Sequence, residues 1–450
     1  MTRTKKRLLY GFLGFILVVI VSVAIYMNSL LPIITGYAAK NLCSAVFISG
    51  RAQEEVESAD LNFSFIKKNR NVVDFTDKSV TSRFLWGKSK AIYREGFGVT
   101  LIRGVKESEL RKKRFPSGTE PGYNQDSISW PLGNVLQDSV TGADKIKLSE
   151  ISDNLVNKNA YRGNIYAFLV MHKGVPVIEK YKSQFNEKTR FVSWSMAKSF
   201  TNALVGILVS QGKMGIDQPA GLEEWNKDER KSITLKNLMQ MQSGLKWNED
   251  YGNRSDVTVM LHCEADMGEF ALNQRPEYPA GTHWYYSSGT TNIVCDMIQR
   301  SFDNDSLYYS FAETELFNKI GMPDAVFEVD PSGTWVGSSY LYATARDYAR
   351  FALLFMNDGV FNRNRILPEG WVDYSRDEAP GSDGRYGAFF WLNKSKRIKT
   401  APEDMFSCNG HDGQYIFMIP SKELAVVLLG YSPDGIDLDR LLGDILETIR

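Results

Sequence analysis

A chain of 450 residues with 43% hydrophobic and 24% charged residues has ordinary globular composition, with room for one large domain plus additions or for two domains. Its 53 basic and 53 acidic residues cancel to a formal net charge of zero, which argues against a nucleic-acid partner because no basic excess exists to meet phosphates. The four cysteines, Cys43, Cys263, Cys295 and Cys408, form no Cys-x-x-Cys pair and the four histidines show no ligand spacing, so no metal is expected, and a chain of this size does not depend on a disulfide framework.

The N-terminus is basic through Arg3, Lys5, Lys6 and Arg7, and Leu8 to Met27 is then almost wholly apolar and uncharged. About 20 residues at about 1.5 Å each cross a hydrocarbon core of ~30 Å. Charge bias predicts a cytoplasmic tail over 1–7, a single-pass anchor over 8–27, and the remainder outside the cytoplasm, periplasmic or extracellular. A cleaved signal peptide is the competing reading. The apolar run exceeds the 7–15 or so residues usual for one, and MNSLLPIITG after it stays apolar, which favours an uncleaved anchor.

Residues 28–147 read as an extension and linker, to which the sequence assigns no chemistry. Cys43 to Gly50 fits a helix end or a strand, and Val72 to Phe75 and Ala91 to Arg94 fit short strands. Gly104 to about Thr141 is rich in charge, Gly, Pro and Ser and predicts an exposed linker or wrapping segment. Its cluster Arg111-Lys112-Lys113-Arg114 fits a solvated loop, with headgroup contact as the alternative.

Order resumes near Leu148 and continues to residue 450. Ile165–Val170 and Val175–Tyr181 flank a hairpin turn. Helices are predicted from Met196, over Ile233–Leu245, over about Thr291–Phe302, over Ala343–Asn357 and over Leu438–Ile449. Gln414–Pro420 and Leu424–Gly430 form a second hairpin. Hairpins at both ends with helices between predict an α+β domain. One antiparallel sheet holds both ends, flanked by helices and carrying a helical subdomain.

Phe191 to Lys213 stands out. Ser195 opens an apolar helix whose Phe200, Ala203, Leu204, Ile207 and Leu208 recur at helical spacing, and Lys198 follows one turn later on the same face. Serine needs a base beside it, and a lysine in an apolar pocket can lose its proton and serve. Ser-x-x-Lys also occurs at Ser64, Ser210 and Ser243, so context singles out Ser195, not the pattern alone. No Gly-x-Ser-x-Gly elbow surrounds Ser195, which disfavours a Ser-His-Asp hydrolase.

Three sites follow in order: Ser195-x-x-Lys198, Tyr286-Ser287-Ser288 and His411-Asp412-Gly413. Together with Thr234–Leu245, Pro279–Asn292, Tyr342–Asp347 and Gly410–Gln414, they resemble the serine β-lactamase and penicillin-recognising family in its class C-like branch. That branch also holds D-alanyl peptidases, esterases and aminohexanoate-dimer hydrolases. The resemblance covers roughly 150 to 445. It implies a β-lactamase/transpeptidase-like fold, no cofactor, and an ester- or amide-cleaving hydrolase whose substrate is a small-molecule or peptide acyl compound. It implies Ser195 as nucleophile, Lys198 as proton acceptor and Tyr286 as proton carrier; Tyr286 can act as base only where cationic neighbours, Lys198 and in its charged form His411, stabilise the phenolate. The oxyanion would meet the backbone N–H groups of Ser195 and Gln414, and Gly413 would be glycine so that the acyl arm can lie against the strand. Ser288 replaces the asparagine, and His411-Asp412-Gly413 the Lys-Thr-Gly, of class C β-lactamases, which shifts the expectation from β-lactams toward an ester or amide. His172, His262 and His283 are expected to be structural. The alternative is a non-hydrolytic module on the same fold that binds or senses cell-wall peptide or penicillin. The oligomeric state is open.

Overall fold

In the computed structural model, residues 3–119, 121–137 and 142–449 are described, without the side chain of Leu9. The N-terminal helix runs from Arg3 to Phe47, so Cys43–Phe47 is a helix end and not a strand. Its 45 residues span about 68 Å at about 1.5 Å each. The first half exposes its apolar side chains, whereas the second buries Leu31, Ile34, Ala38, Ala39 and Leu42.

A four-stranded antiparallel sheet packs on that second half, in the order β1 (Arg70–Asp74), β2 (Ser79–Phe84), β3 (Gly87–Arg94), β4 (Gly98–Leu101). Alternation turns Val80, Ala91, Val99 and Leu101 toward the helix. Lys40 of the helix meets Glu328 of the main domain at 2.5 Å, with both side chains buried. Glu328 also accepts from Ser44 Oγ at 3.0 Å and from the Val99 N–H at 2.7 Å. The extension is thus bonded into the main domain.

The following segment wraps the domain. Trp130 Nε1 donates to the Gly174 carbonyl at 2.7 Å, and the buried Arg350 guanidinium donates to the carbonyls of Pro131 and Gly133, each at 2.7 Å. Within the basic cluster, Arg111 pairs with Asp77 and Glu107, and Lys113 donates to the Ser332 carbonyl. The end of the expected linker, 138–141, lies outside the described residues.

The main sheet joins the two expected hairpins. These are β5 (Ile165–His172) with β6 (Val175–Tyr181), and β14 (Gln414–Ile419) with β15 (Leu424–Gly430). With β12 (Trp391–Leu392) and β13 (Phe406–Gly410), the order is β12-β13-β14-β15-β5-β6, antiparallel throughout. Every residue of β5 is buried because both sheet faces are covered. Phe168 and Val170 face the helices Lys145–Val156 and Leu438–Leu446, while Ala167, Leu169 and Met171 face the larger core. A three-stranded patch of β7 (Phe191–Val192), β8 (Val326–Phe327) and β9 (Leu341–Ala343), and a short hairpin of β10 (Val360–Phe361) and β11 (Asn364–Arg365), complete the strands used here.

Several helix bounds differ from expectation. The helix in 233–245 is only Leu235–Met239, opened by a Thr234/Asn237 capping box; the chain then turns, with Met241 at φ +61° and Gly244 at φ +72°. Ala343 belongs to β9, and the helix after it is Ala345–Met356. The helix expected from Thr291 begins at Ser288, because Ser287 caps it by accepting from the Thr290 N–H.

Removing one partner of a buried ion pair leaves an uncompensated charge, at a cost of about 3–5 kcal/mol. Lys40→Ala is therefore expected to lower the denaturation midpoint of the detergent-solubilised chain markedly. Lys40→Met combined with Glu328→Gln is expected to recover most of the loss. A midpoint unchanged in Lys40→Ala would show that the pair is not carrying the junction.

Candidate active site

The turn that carries Ser195 begins at β7. Ser193 donates its N–H to the Leu341 carbonyl at 2.7 Å, and its Oγ accepts from the Leu341 N–H at 3.2 Å. Trp194 then takes φ +44°, a left-handed conformation that bulky residues rarely adopt. Its ring is held by Tyr37 of the N-terminal helix, stacked at 6.5 Å between centroids, and edge-on by His411 at 5.8 Å. Ser195 lies in this 3₁₀ turn, Trp194–Met196, and the helix Ala197–Ser210 follows, with Gly212 at φ +71° after its end.

Lys198 is fully buried one turn into that run. Its Nζ lies 3.1 Å from Ser195 Oγ, 3.1 Å from Ser288 Oγ and 2.9 Å from the Ser338 carbonyl. Burial lowers its pKa from the ordinary 10.5 to about 8, partly opposed by the negative charge of Glu249. At pH 7 about one tenth of this amine is therefore uncharged and able to accept a proton.

Tyr286 is brought in from the start of the helix Ser288–Arg300. Its hydroxyl is hydrogen-bonded to Ser195, and its ring centroid is 4.8 Å from Lys198 Nζ. Trp391 and Tyr386 pack its ring at 5.3 and 5.8 Å. Burial first, then Glu249, pushes its pKa up, while the bond to Ser195 pulls the other way. The expected stabilised phenolate is thus replaced by a resting phenol, a proton donor. Its neighbour Tyr285 is exposed to 44%, whereas the Tyr286 ring lies beside the Lys198 amine.

Ser288 differs from its expected place on the substrate. It is fully buried, and its Oγ bridges Lys198 and Glu249, donating to Glu249 Oε1 at 2.5 Å. The Ser288 N–H donates to the second Glu249 oxygen at 2.9 Å. Tyr251 donates to Glu249 at 3.1 Å and stacks on His411 at 5.2 Å. Sequence reasoning missed Glu249 and Tyr251. No local pattern in the sequence announces either, because both act through bonds and ring contacts to residues far along the chain.

The turn between β13 and β14 closes the site. A Cβ on Gly410 would lie 2.2 Å from the Ser193 carbonyl, so this backbone rests directly on the nucleophile turn. His411 is 45% exposed, with Nε2 3.3 Å from Asp412 Oδ1. Gln414 turns its buried side chain away, donating Nε2 to the Gly430 carbonyl at 2.6 Å and accepting the Gly430 N–H at 3.0 Å. Gly413 has φ +94°, and a Cβ there would meet Ser432 at 3.0 Å and Ile436 at 3.1 Å. Turn conformation and packing both call for a glycine here. Of the remaining histidines, His172 and His262 are buried, and His283 stacks on Tyr278 at 4.1 Å.

A serine, a low-pKa lysine and a tyrosine converging between a helical layer and an antiparallel sheet define a penicillin-recognising type of serine hydrolase. The chain belongs to the beta-lactamase family, whose model, described as "Beta-lactamase", matches residues 157–442. It is similar to a 6-aminohexanoate-dimer hydrolase of Paenarthrobacter ureafaciens, 25% identical over 297 residues, 60% of this chain and 73% of that protein. Among solved structures, a candidate 6-aminohexanoate-dimer hydrolase from Bacillus anthracis shares the fold with TM-score 0.57 and 20% identity over 73% of this chain and 88% of its own. A penicillin-binding protein homologue from Caulobacter crescentus does so with TM-score 0.51 and 14% identity over 70% of this chain and all 100% of its own.

The two turn glycines separate by mechanism. Gly413→Ala forces a strained backbone, worth about 1–3 kcal/mol, and is expected to lower the thermal midpoint. Gly410→Ala, where φ is −112° and only the close approach matters, is expected to displace the turn from Ser193 and to lower kcat as well. Full kcat in Gly410→Ala would refute the contact's role.

Proposed function

We propose that this serine hydrolase is anchored in the cell membrane by residues 8–27, with its catalytic domain outside the cytoplasm, and cleaves an amide or ester through an acyl-enzyme on Ser195. The observation that carries the reading is Lys198 Nζ, fully buried and 3.1 Å from Ser195 Oγ. Neutral Lys198 takes the Ser195 proton as Oγ bonds to the substrate carbonyl carbon. Backbone N–H groups of Ser195 and of the turn ending at Gln414 receive the oxyanion; one such donor is typically worth about 2.7–4 kcal/mol. Tyr286 passes its proton to the leaving group as the carbonyl–heteroatom bond breaks, and takes one back from the Lys198 ammonium, which carries the proton that left Ser195. Water then attacks the acyl carbon and loses a proton to neutral Lys198, and as the bond to Oγ breaks the acid leaves and Lys198 returns that proton to Ser195.

His411 stands where lysine anchors the carboxylate of β-lactams, so the reading favours an open-chain acyl substrate. The relative from Paenarthrobacter ureafaciens, named for an amide dimer, supports the amide. The anchor reading is supported by one helix, Arg3–Phe47, long and apolar enough to cross a membrane.

Intact-mass spectrometry across D-Ala peptides, p-nitrophenyl esters and β-lactams is expected to find an acyl adduct that Ser195→Ala abolishes together with turnover. Equal hydrolysis by Ser195→Ala would defeat the mechanism. With Lys198 at about 8, the neutral fraction rises from about one tenth at pH 7 to about nine tenths at pH 9. Accordingly, kcat/KM is expected to climb through pH 8. Glu249→Gln removes a charge that raises the Lys198 pKa and is expected to move the inflection to lower pH; an inflection fixed or moved upward would break the assignment of the base.

A further inference from the structure

The four-stranded sheet beside the N-terminal helix carries a solvent-facing patch that a water-soluble domain gives no reason for. The hairpin between β2 and β3 turns through Leu85 and Trp86, exposed to 62% and 59%. Two-residue hairpin turns favour Asn, Asp or Gly where φ is positive. Here Leu85 takes φ +51°. An apolar, strained and exposed tip breaks the local rule, and such exceptions mark functional surfaces. Nearby, Phe65 is 53% exposed and lies 6.1 Å from Phe84, between ring centroids, at the same end of the sheet.

The position of the tip is fixed by the helix. Trp86 Nε1 lies 3.4 Å from Asn28 Oδ1, and a Cβ on Gly87 would be 2.8 Å from Leu31. Asn28 is the first residue after the uncharged run Leu8–Met27. The tip therefore sits level with the end of the apolar span. Around it stand the exposed cations Lys67, Lys68, Arg70, Arg83 and Lys88, and none of the five has an ion pair among the described residues. Neither 61–73 nor 79–94 contains an acidic residue.

We propose that this end of the sheet docks on the bilayer: Leu85 and Trp86 enter the headgroup layer, and the flanking cations meet lipid phosphates. Tryptophan is favoured at that depth, and cations are attracted to lipid phosphates. The proposal rests on the anchor reading above. It adds a second contact, which fixes the tilt of the domain that a single helix would leave free. It also sets the height of the site. Tyr37, which stacks on Trp194, is nine residues beyond Asn28, about 14 Å along the helix. Ser195 is thus held close above the lipid surface, within reach of membrane-bound acyl substrates.

Trp86 is the only tryptophan before Trp130, which makes it a selective probe. The full chain is reconstituted into phosphatidylcholine–phosphatidylglycerol vesicles, with and without phosphatidylcholine brominated at carbons 6 and 7. Flotation is measured first, then tryptophan quenching for the wild type and Trp86→Phe. The expected result is flotation of both, with the brominated vesicles quenching a component that falls by at least half in Trp86→Phe. Flotation with equal quenching in both would overturn the docking and leave the anchor standing. Failure to float would overturn the anchor and the docking with it.

Discussion

Lys198 has its Nζ within 3.1 Å of two serine hydroxyls and a carbonyl, and no water-facing side. The fall from 10.5 to about 8 is the net of two opposed effects, and it disfavours the ammonium by about 3 kcal/mol relative to the neutral amine. Desolvation wins, but Glu249 opposes it through Ser288. Without burial the lysine would stay charged and be useless as a base at neutral pH. Without the carboxylate it would discharge further and hold its place less firmly. The site depends on this balance, and the balance depends on four distant stretches of chain meeting at one amine: 195–198, 249, 286–288 and 338.

Those stretches are held by backbone, not by side chains alone. Ser193 is tied to Leu341, so the nucleophile turn is fixed to the three-stranded patch. Gly410 lies against the Ser193 carbonyl from the main sheet. Trp194 at φ +44° is a costly conformation, of order 1–3 kcal/mol, that persists because Tyr37, Tyr340 and His411 pack its ring. Strain of this kind keeps Ser195 at the head of its helix instead of letting the turn relax. One of the three packing rings belongs to the N-terminal helix, so the extension takes part in holding the Ser195 turn.

How much of this could be read from the chain follows from range. The hairpins 165–181 and 414–430, and the helix after Ser195, were legible because period and turn residues are local signals. Their union into one sheet was legible too, since hairpins at both ends of a domain with helices between predict a single sheet that holds both ends. The helix over 233–245 was overread: its apolar spacing continues past Met239, but Met241 and Gly244 take left-handed φ that spacing does not report. Ser195, Lys198 and Tyr286 could be placed because each sits in a short motif. Glu249 could not, because its importance lies in a bond to Ser288, 39 residues away, that no local pattern announces. The same holds for Ser288, whose position suggested a substrate contact until burial showed it facing Lys198. For residues 28–147, the extension was legible as a composition but not as a fold, since the partner that orders it, Glu328, lies in the other domain.

That partner also explains why a charge is buried at the junction at all. A helix apolar along most of 45 residues has several nearly equivalent ways to lie against an apolar sheet. Shifted by one turn, about 5.4 Å, its leucines, isoleucines and alanines would still find apolar neighbours. Lys40 and Glu328 would not: each would be left buried and unpaired, at several kcal/mol apiece. A well-packed apolar pair could match the stability of the native register, but it would not penalise the neighbouring ones. The ion pair therefore contributes less to total stability than to choosing one register, and the register matters here because Tyr37 must arrive opposite Trp194. A slip of the helix would move the ring that braces the Ser195 turn, so the pair that fixes the position of the helix also fixes part of the candidate active site.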